Sequence, residues 1–272
     1  MRKLAVLGSP IAHSKSPALH QAAYKHLDLA WSYEAIDVTE HELAPFVATL
    51  EEGWRGLSLT MPLKRTVLPL LTATDPIVSQ TGVANTVVFD EKRRLGFNTD
   101  VYGITAAFRE QGIESASSVT ILGGGATAAS ALVAAQAMGA DRATVLVRTL
   151  AAADALVFLG SEIGVPVTVA SLAEPTPVAD IVISTLPGGT DFDVNVLRQS
   201  RQSAVLLDVA YDPWPSALAA SWHAPVISGL AMLTHQALAQ VRAFVNGSPE
   251  IVFDHEELLL AAMKDAVAPS AL

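Results

Sequence analysis

The chain has 272 residues, of which 51% are hydrophobic and only 16% charged; this excludes an intrinsically disordered protein and indicates two domains. Its formal net charge of −10 argues against nucleic acid or an anionic membrane as the main partner, because either would favour a basic surface. Since the chain has no cysteine, disulfides, thiolate nucleophiles and cysteine metal sites are excluded as well.

Two apolar segments bear on the location of the protein. The apolar run near the start, LAVL, is much shorter than that of a signal peptide, so we expect a cytoplasmic protein. Residues 115–140 lack charge and are long enough to span a bilayer, but three glycines divide them into a β-branched half and an alanine-rich half. We therefore predict a buried strand, a glycine turn and a buried helix.

Strand-like and helix-like runs alternate along the first hundred residues, which is typical of α/β proteins with parallel strands. The predicted strands are KLAVLG, WSYEAIDV and GLSLT, followed by a hairpin of ANTVVFD and RRLGFN. The predicted helices are SPALHQAAYKHL, with Ser16 as its N-cap, and TEHELAPFVATLEE, in which Thr39 and Glu42 have capping-box spacing. A domain boundary is expected near residues 100–103.

A second alternating series follows this boundary. Its predicted strands are SVTILG, ATVLV, VPVTVA, DIVIST, AVLLDVA and PVIS, and its helices cover residues 126–138 and a segment from about 150. Gly139 is expected to end the first of these helices. Two helical segments, LAMLTHQALAQVRAFV and DHEELLLAAMKDAV, finish the chain.

The glycine turn GGGATA, residues 123–128, lies between a predicted strand and a predicted helix, as a dinucleotide fingerprint requires. Gly123 would permit the tight turn, Gly125 would let the backbone approach a pyrophosphate, and Ala128 would let helix and strand pack closely. The helix N-terminus would supply N–H groups for the phosphates. The alternative is a glycine-rich turn that binds no ligand.

The residues after the next strand indicate which dinucleotide would bind. An Asp or Glu usually meets the ribose 2′-hydroxyl of NAD, but here ATVLV leads into Arg148 and Thr149. Because Arg148 suits a 2′-phosphate, the sequence favours NADP over NAD; alternatively, Arg148 is a solvated loop residue.

Several polar residues of the first domain are candidates for a binding site. Ser14 and Ser16 precede a helix and could hold a carboxylate, although Ser16 could serve only as a cap. Lys64 is expected in a first helical turn, where the helix dipole disfavours a cation unless a carboxylate such as Asp100 compensates. Asp100 could instead be a helix cap, and Asn85 needs polar partners inside its strand. His20 is expected to be structural.

Nine motifs carry a resemblance to a known family. GSPIAHSKSPALH, SLTMPLK, GVANTV, GFNTDVYG, LGGGATAAS, VRT, ISTLPGG, DVAYDPWPSAL and GLAMLTHQA occur in an order similar to that of shikimate dehydrogenases, from about residue 7 to 240. The resemblance implies an α/β fold with a substrate domain (1–101, joined by C-terminal helices 238–272), a Rossmann-type NADP-binding domain (102–237) and a cleft between them. It implies NADPH-dependent reduction of 3-dehydroshikimate to shikimate, in chorismate and aromatic amino-acid biosynthesis, without a metal.

The resemblance also assigns residues by position. Lys64 and Asp100 would be the catalytic pair. Substrate would be bound by Ser14, Ser16, Ser58, Thr60, Asn85, Tyr211 and Gln236. The cofactor would be bound by Gly123, Gly124, Gly125, Ala126, Thr127, Ala128, Arg148, Thr149, Thr185, Gly229 and Met232.

Some features leave alternatives open. The family commonly has Asn where Ser58 stands, so quinate or an aminated shikimate is an alternative substrate, and Val147 replaces an Asn that often precedes Arg-Thr. A regulatory module that binds NADP without turnover is a second alternative, although such a protein normally lacks a catalytic residue. A homodimer would require an uncovered apolar face.

Overall fold

The computed structural model describes residues 2–268 of the chain, so the predicted domain limits at residue 1 and at residues 269–272 lie outside the described residues. The chain divides into two compact units. The first contains the residues up to Thr99 together with those from Leu233 on, and the second is Asp100–Met232.

The first unit is built from short alternating elements, and its last two helices come from the end of the chain. Its strands are β1 (Lys3–Gly8), β2 (Ser32–Asp37), β3 (Trp54–Leu59), β4 (Ala73–Thr74), β5 (Thr86–Asp90) and β6 (Arg93–Phe97). Its helices are α1 (Ser16–His26), α2 (Glu40–Ala48), α3 (Leu63–Thr66), α4 (Pro76–Thr81), most of α10 (Gly229–Asn246), and α11 (Glu256–Asp265).

The sheet of the first unit has the order β2-β1-β3-β5-β6-β4, with β1, β2 and β3 parallel and β5 antiparallel to its neighbours. Side chains alternate between its two faces. One face carries an apolar cluster that includes Leu57 and Leu59 of β3 with Leu43 of α2 and Leu63 of α3. Ser58, between the two leucines, therefore lies on the opposite face.

The second unit contains the second alternating series. Its strands are β7 (Ser118–Leu122), β8 (Arg142–Val147), β9 (Val167–Ser171), β10 (Ile181–Ser184), β11 (Val205–Asp208) and β12 (Val226–Ser228). Its helices are α5 (Asp100–Glu110), α6 (Ala126–Ala137), α7 (Asp154–Ile163), α8 (Ser200–Ser203) and α9 (Ala217–Ala220).

All six strands of the second unit are parallel, in the order β9-β8-β7-β10-β11-β12. This is the doubly wound Rossmann order, in which the chain changes direction between β7 and β10. The uncharged segment from 115 to 140 forms β7 and the buried helix α6, as predicted. Within residues 2–268, no helix is both long and apolar enough to cross a membrane.

Most local sequence signals are confirmed. Thr39 and Glu42 form the capping box of α2, and Gly139 follows α6 with a φ of 92°. The predicted cap of α1 is wrong by one position: the helix begins at Ser16, and Lys15 is its N-cap without a side-chain hydrogen bond. The Ser16 hydroxyl therefore does not cap the helix.

His20 of α1 is part of the buried layer between this helix and the sheet. Its ring stacks on Tyr33 of β2, with the centroids 4.0 Å apart and the planes 6° from parallel. Its nitrogens hydrogen-bond to Tyr24 Oη (3.1 Å) and to Gln240 Oε1 of α10 (3.2 Å). Burial lowers the pKa of His20 from 6.5 to about 3, so the neutral imidazole is favoured.

Because the pKa of His20 is lowered on folding, its neutral form contributes full stability above pH 6.5, and this contribution is lost progressively as the pH falls towards 3. We expect His20→Gln to reduce the slope of unfolding free energy against pH in this window by about one proton, or about 1.4 kcal/mol per pH unit. Urea unfolding at a series of pH values across this window measures the slope.

Tyr33→Phe is the matched control, because it removes a hydroxyl from the same layer and retains the imidazole. It should lower stability without changing the slope. An unchanged slope in His20→Gln would show that His20 is not the group that titrates.

Candidate active site

Four chain segments of the first unit meet at one edge of its sheet. The carboxyl ends of β1, β3 and β6 and the amino end of β5 share this edge, because β5 is antiparallel to both β3 and β6. Ser14 and Ser16 follow β1, Thr60 and Lys64 follow β3, and Asn85 precedes β5. The structure therefore places these five predicted substrate and catalytic residues at the same edge.

The serine pair lies in the loop before α1. Ser14 Oγ accepts a hydrogen bond from the main-chain N–H of Ser16 at 3.3 Å, and Ser16 is buried while Ser14 is half-buried. The loop is held by the N–H of Ile11, which donates to Asp37 Oδ2 at 3.3 Å. This arrangement places two hydroxyls beside the N-terminus of α1, a position that suits an anion.

Thr60 and Lys64 are held by main-chain bonds to neighbouring segments. The N–H of Thr60 donates to Leu7 O at 2.9 Å, and the carbonyl of Lys64 accepts from the N–H of Ala84 at 2.9 Å. Lys64 lies in the first turn of α3, as predicted. However, α3 has only four residues, so the argument from its dipole loses most of its force.

Asn85 is buried, and its carboxamide is oriented by its partners. Oδ1 accepts from the N–H of Thr99 (2.9 Å) and from Thr86 Oγ1 (2.8 Å). Nδ2 donates to Thr99 Oγ1 (2.9 Å) and to Gln236 Oε1 (3.2 Å). Since a main-chain N–H can only donate, the oxygen of this carboxamide must face Thr99, and its nitrogen faces Gln236.

Gln236 lies on α10 and is brought to the sheet edge by this contact with Asn85. Its Nε2 donates one hydrogen to Leu233 O at 2.9 Å. A carboxamide nitrogen carries two hydrogens, so Gln236 can offer the second to a ligand.

Ser58 is buried and makes two hydrogen bonds inside the unit. It donates to Gln240 Oε1 at 2.8 Å and accepts from the hydroxyl of Tyr33 at 2.7 Å. Sequence reasoning missed both partners. The available signal for Gln240 was its position one helical turn after Gln236, on the same face of α10.

The remaining polar candidates of the substrate site belong to the second unit. Asp100 is buried and begins α5, which places its negative charge in the first turn of that helix, where the dipole stabilises it. Tyr211 is half-buried and follows β11.

The glycine turn lies at the point where the second sheet changes direction, after β7 and beside the end of β10. Gly123 has a φ of 104°, and a Cβ there would lie 2.6 Å from Thr185 Oγ1. Thr185 donates from that hydroxyl to Leu122 O at 2.7 Å, so it braces the turn. At Gly125, by contrast, a Cβ would meet nothing within 4 Å.

The start of α6 is suited to phosphate. Its N-cap, Gly125, has no side-chain hydrogen bond to the first turn, and the first N–H groups of a helix lack acceptors within it. Ala126, Thr127 and Ala128 supply those groups, and the open space at Gly125 lets a pyrophosphate approach them. The residues present therefore fit a dinucleotide.

Arg148 and Thr149 follow β8, next to β7 in the sheet, and both side chains are exposed. An exposed guanidinium at this end of β8 is accessible to a phosphate group.

Gly229 and Met232 at the start of α10 have packing roles in the second unit. A Cβ at Gly229 would lie 2.1 Å from the carbonyl oxygen of Val209, so only glycine permits this approach. Met232 is buried. Among residues 2–268 no group of three His, Asp or Glu side chains could hold a metal ion.

Comparison with known proteins identifies the family of this arrangement. Residues 6–87 match the model of the shikimate dehydrogenase substrate binding domain. A protein of Ignicoccus hospitalis named shikimate dehydrogenase (NADP(+)) is 30% identical over 263 residues, which cover 94% of this chain and 97% of the relative.

Two solved structures are similar over nearly the whole chain. The shikimate dehydrogenase of Mycobacterium tuberculosis is 35% identical, with a TM-score of 0.82, and the match covers 97% of this chain and 100% of that one. The shikimate 5-dehydrogenase of Thermus thermophilus, in complex with NADP(H) and shikimate, is 27% identical with a TM-score of 0.82 and coverages of 98% and 100%. The chain therefore belongs to the shikimate dehydrogenase family.

Proposed function

We propose that the protein is an NADP-dependent shikimate dehydrogenase, which reversibly reduces 3-dehydroshikimate to shikimate in the route to chorismate and the aromatic amino acids. The observation that carries this function is the convergence of Ser14, Ser16, Lys64, Asn85 and Gln236 on one sheet edge. A Rossmann-type unit with an open glycine turn accompanies them in the same chain.

The substrate is a polyhydroxylated ring acid, and the sheet edge offers groups for each part of it. Ser14 and Ser16 would bind the carboxylate, since their hydroxyls lie at the start of α1 and the Ser16 hydroxyl does not cap that helix. Thr60 and the second Nε2 hydrogen of Gln236 would bind ring hydroxyls. Asn85 would act beside them, with Tyr211 from the second unit.

Lys64 and Asp100 are the proposed catalytic pair. As the substrate carbonyl is reduced, negative charge grows on its oxygen, and the Lys64 ammonium would stabilise that charge and deliver a proton. Asp100 would hold Lys64 in place and share the proton.

The cofactor would lie on the second unit. The nicotinamide of NADP, when bound, supplies or accepts the hydride. Gly123, Gly124 and Gly125 with the start of α6 would hold the pyrophosphate, and Arg148 with Thr149 the 2′-phosphate. Thr185, Gly229 and Met232 would lie near the reactive ring of the bound cofactor.

A cytoplasmic location and a homodimer are proposed as well. Cell fractionation tests the first. The homodimer is proposed because Ile251, Val252 and Leu258 are exposed apolar residues of the first unit. Measuring the molecular mass of the protein in solution tests it.

Quinate or an aminated shikimate is the alternative substrate, because Ser58 departs from the Asn common in the family. A regulatory module without turnover is the other alternative, although the chain has both Lys64 and Asp100. Initial rates on shikimate, quinate and an aminated shikimate, each with NADP and NAD, separate the three. We expect the highest rate with shikimate and NADP. A higher rate with quinate would assign the alternative substrate, and no turnover would contradict an enzyme.

Replacing Lys64 tests the mechanism. We expect Lys64→Ala to lower kcat by roughly 10²- to 10⁴-fold, the usual contribution of a general acid, while NADP affinity is nearly unchanged. Arg65→Ala removes a neighbouring, exposed charge from the same short helix and should have a much smaller effect. Steady-state kinetics and cofactor titration measure both, and near-normal turnover of Lys64→Ala would remove Lys64 from the mechanism.

Replacing Arg148 tests cofactor selection. We expect Arg148→Ala to weaken NADP binding about 10- to 100-fold, as for a lost charge-assisted hydrogen bond, and to affect NAD binding far less. Arg142→Ala, at the other end of β8, is the control, since its exposed side chain pairs with Asp141. Fluorescence titration with both dinucleotides is the measurement. Equal losses for NADP and NAD would show that Arg148 does not read the 2′-phosphate.

A further inference from the structure

We propose that Gln240 is a positioning residue for substrate recognition, and that Ser58 acts by holding Gln240 rather than by binding the substrate. The proposal rests on the proposed function, because it takes Asn85 and Gln236 as substrate ligands.

Gln240 is buried, and all its hydrogen-bonding capacity is used within the first unit. Nε2 donates to the main-chain carbonyl of Asn85 (3.0 Å) and to Thr86 Oγ1 (3.1 Å). Oε1 accepts from Ser58 (2.8 Å) and from His20 (3.2 Å). Two donors and two acceptor positions are the full capacity of a carboxamide. Gln240 therefore joins α10 to β5, β3 and α1 at one point.

The direction of these bonds follows from the carbonyl of Asn85. A carbonyl only accepts, so the nitrogen of Gln240 must face it and the oxygen must face Ser58 and His20. The Ser58 hydroxyl therefore donates its single hydrogen to Gln240 and accepts a hydrogen bond from the hydroxyl of Tyr33. With its proton used and its side chain buried, Ser58 has no hydrogen to offer a substrate hydroxyl.

The assigned donor and acceptor roles extend from Gln240 to Asn85 and Gln236, the predicted substrate ligands. Since Thr86 Oγ1 accepts from Gln240, it donates to Asn85 Oδ1 (2.8 Å), and Asn85 Nδ2 donates to Gln236 Oε1 (3.2 Å). Gln236 precedes Gln240 by one turn of α10. The bonds from Gln240 to Asn85 and Thr86 therefore also fix the position of Gln236 relative to Asn85. Gln240 thereby sets the position of the one Gln236 hydrogen that is left for a ligand.

The roles of Ser58 and Gln240 can be separated in a double variant. If Ser58 acts only through Gln240, Ser58→Ala has no further effect once Gln240 has been replaced, because the bond that it removes is already absent.

The test measures KM for shikimate, KM for NADP, kcat and calorimetric shikimate affinity in four proteins: wild type, Gln240→Ala, Ser58→Ala/Gln240→Ala, and Gln21→Met. The last is the control, because the exposed Gln21 donates from α1 to the carbonyl of Tyr33 (3.2 Å) and does not hydrogen-bond to Asn85. We expect Gln240→Ala to raise KM for shikimate about tenfold, as for one or two lost hydrogen bonds, with KM for NADP unchanged. The double variant should show no further rise in KM for shikimate, because Ser58 acts through Gln240.

Three results would overturn the proposal: an unchanged KM for shikimate in folded Gln240→Ala, an equal rise in both KM values, or a further rise in KM for shikimate in the double variant. If Gln240→Ala does not fold, Ser58→Ala takes its place, because it removes one bond to Gln240. It should raise KM for shikimate and leave KM for NADP unchanged. An unchanged KM for shikimate would overturn the proposal. Wild type that does not oxidise shikimate would contradict the proposed function itself, and so distinguishes the two failures.

Discussion

The main-chain carbonyl of Asn85 orients the hydrogen bonds at the sheet edge where the predicted substrate residues of the first unit lie. It accepts the N–H of Leu59 at 2.8 Å, which joins β5 to β3, and the Nε2 of Gln240 at 3.0 Å, which joins α10 to both. Because this group can only accept, the hydroxyl and carboxamide protons of Tyr33, Ser58, Thr86 and Gln240 each have one assigned direction. A buried polar group without a hydrogen-bond partner costs free energy, so the hydrogen bonds of this layer are maintained.

The second unit depends on a steric constraint instead. Gly123 and Gly229 stand where a Cβ would collide with Thr185 and with the main chain of Val209, whereas Gly125 stands beside open space. Two of these glycines thus shape the sheet edge, and the third leaves it accessible. The charge of the chain is consistent with this division: in a protein with a net charge of −10, an anionic dinucleotide would have to be bound by local groups, here the N–H groups at the start of α6 and the exposed Arg148.

Local signals predicted most of the fold. The strands, the capping box of α2, the glycine turn and the end of α6 each depend on residues a few positions apart, which periodicity and turn chemistry reveal. The polar layer could not be predicted in this way, because Ser58 and Gln240 are 182 residues apart and Tyr33 and Ser58 are 25 apart. The sequence marks Ser58 as unusual, but its hydrogen-bond partners can be identified only once strand register and helix packing place them on one face. The length of α3 was likewise hidden, since its end depends on the turn that follows.

A crystal structure with bound shikimate tests the central claim, that Ser58 and Gln240 support the site without contacting the ligand. Ser14, Ser16 and Gln236 should lie within hydrogen-bonding distance of the ligand, while Ser58 retains its bonds to Tyr33 and Gln240. A Ser58 hydroxyl closer than about 3.5 Å to a ring hydroxyl, with its bond to Gln240 broken, would show instead that Ser58 binds the substrate.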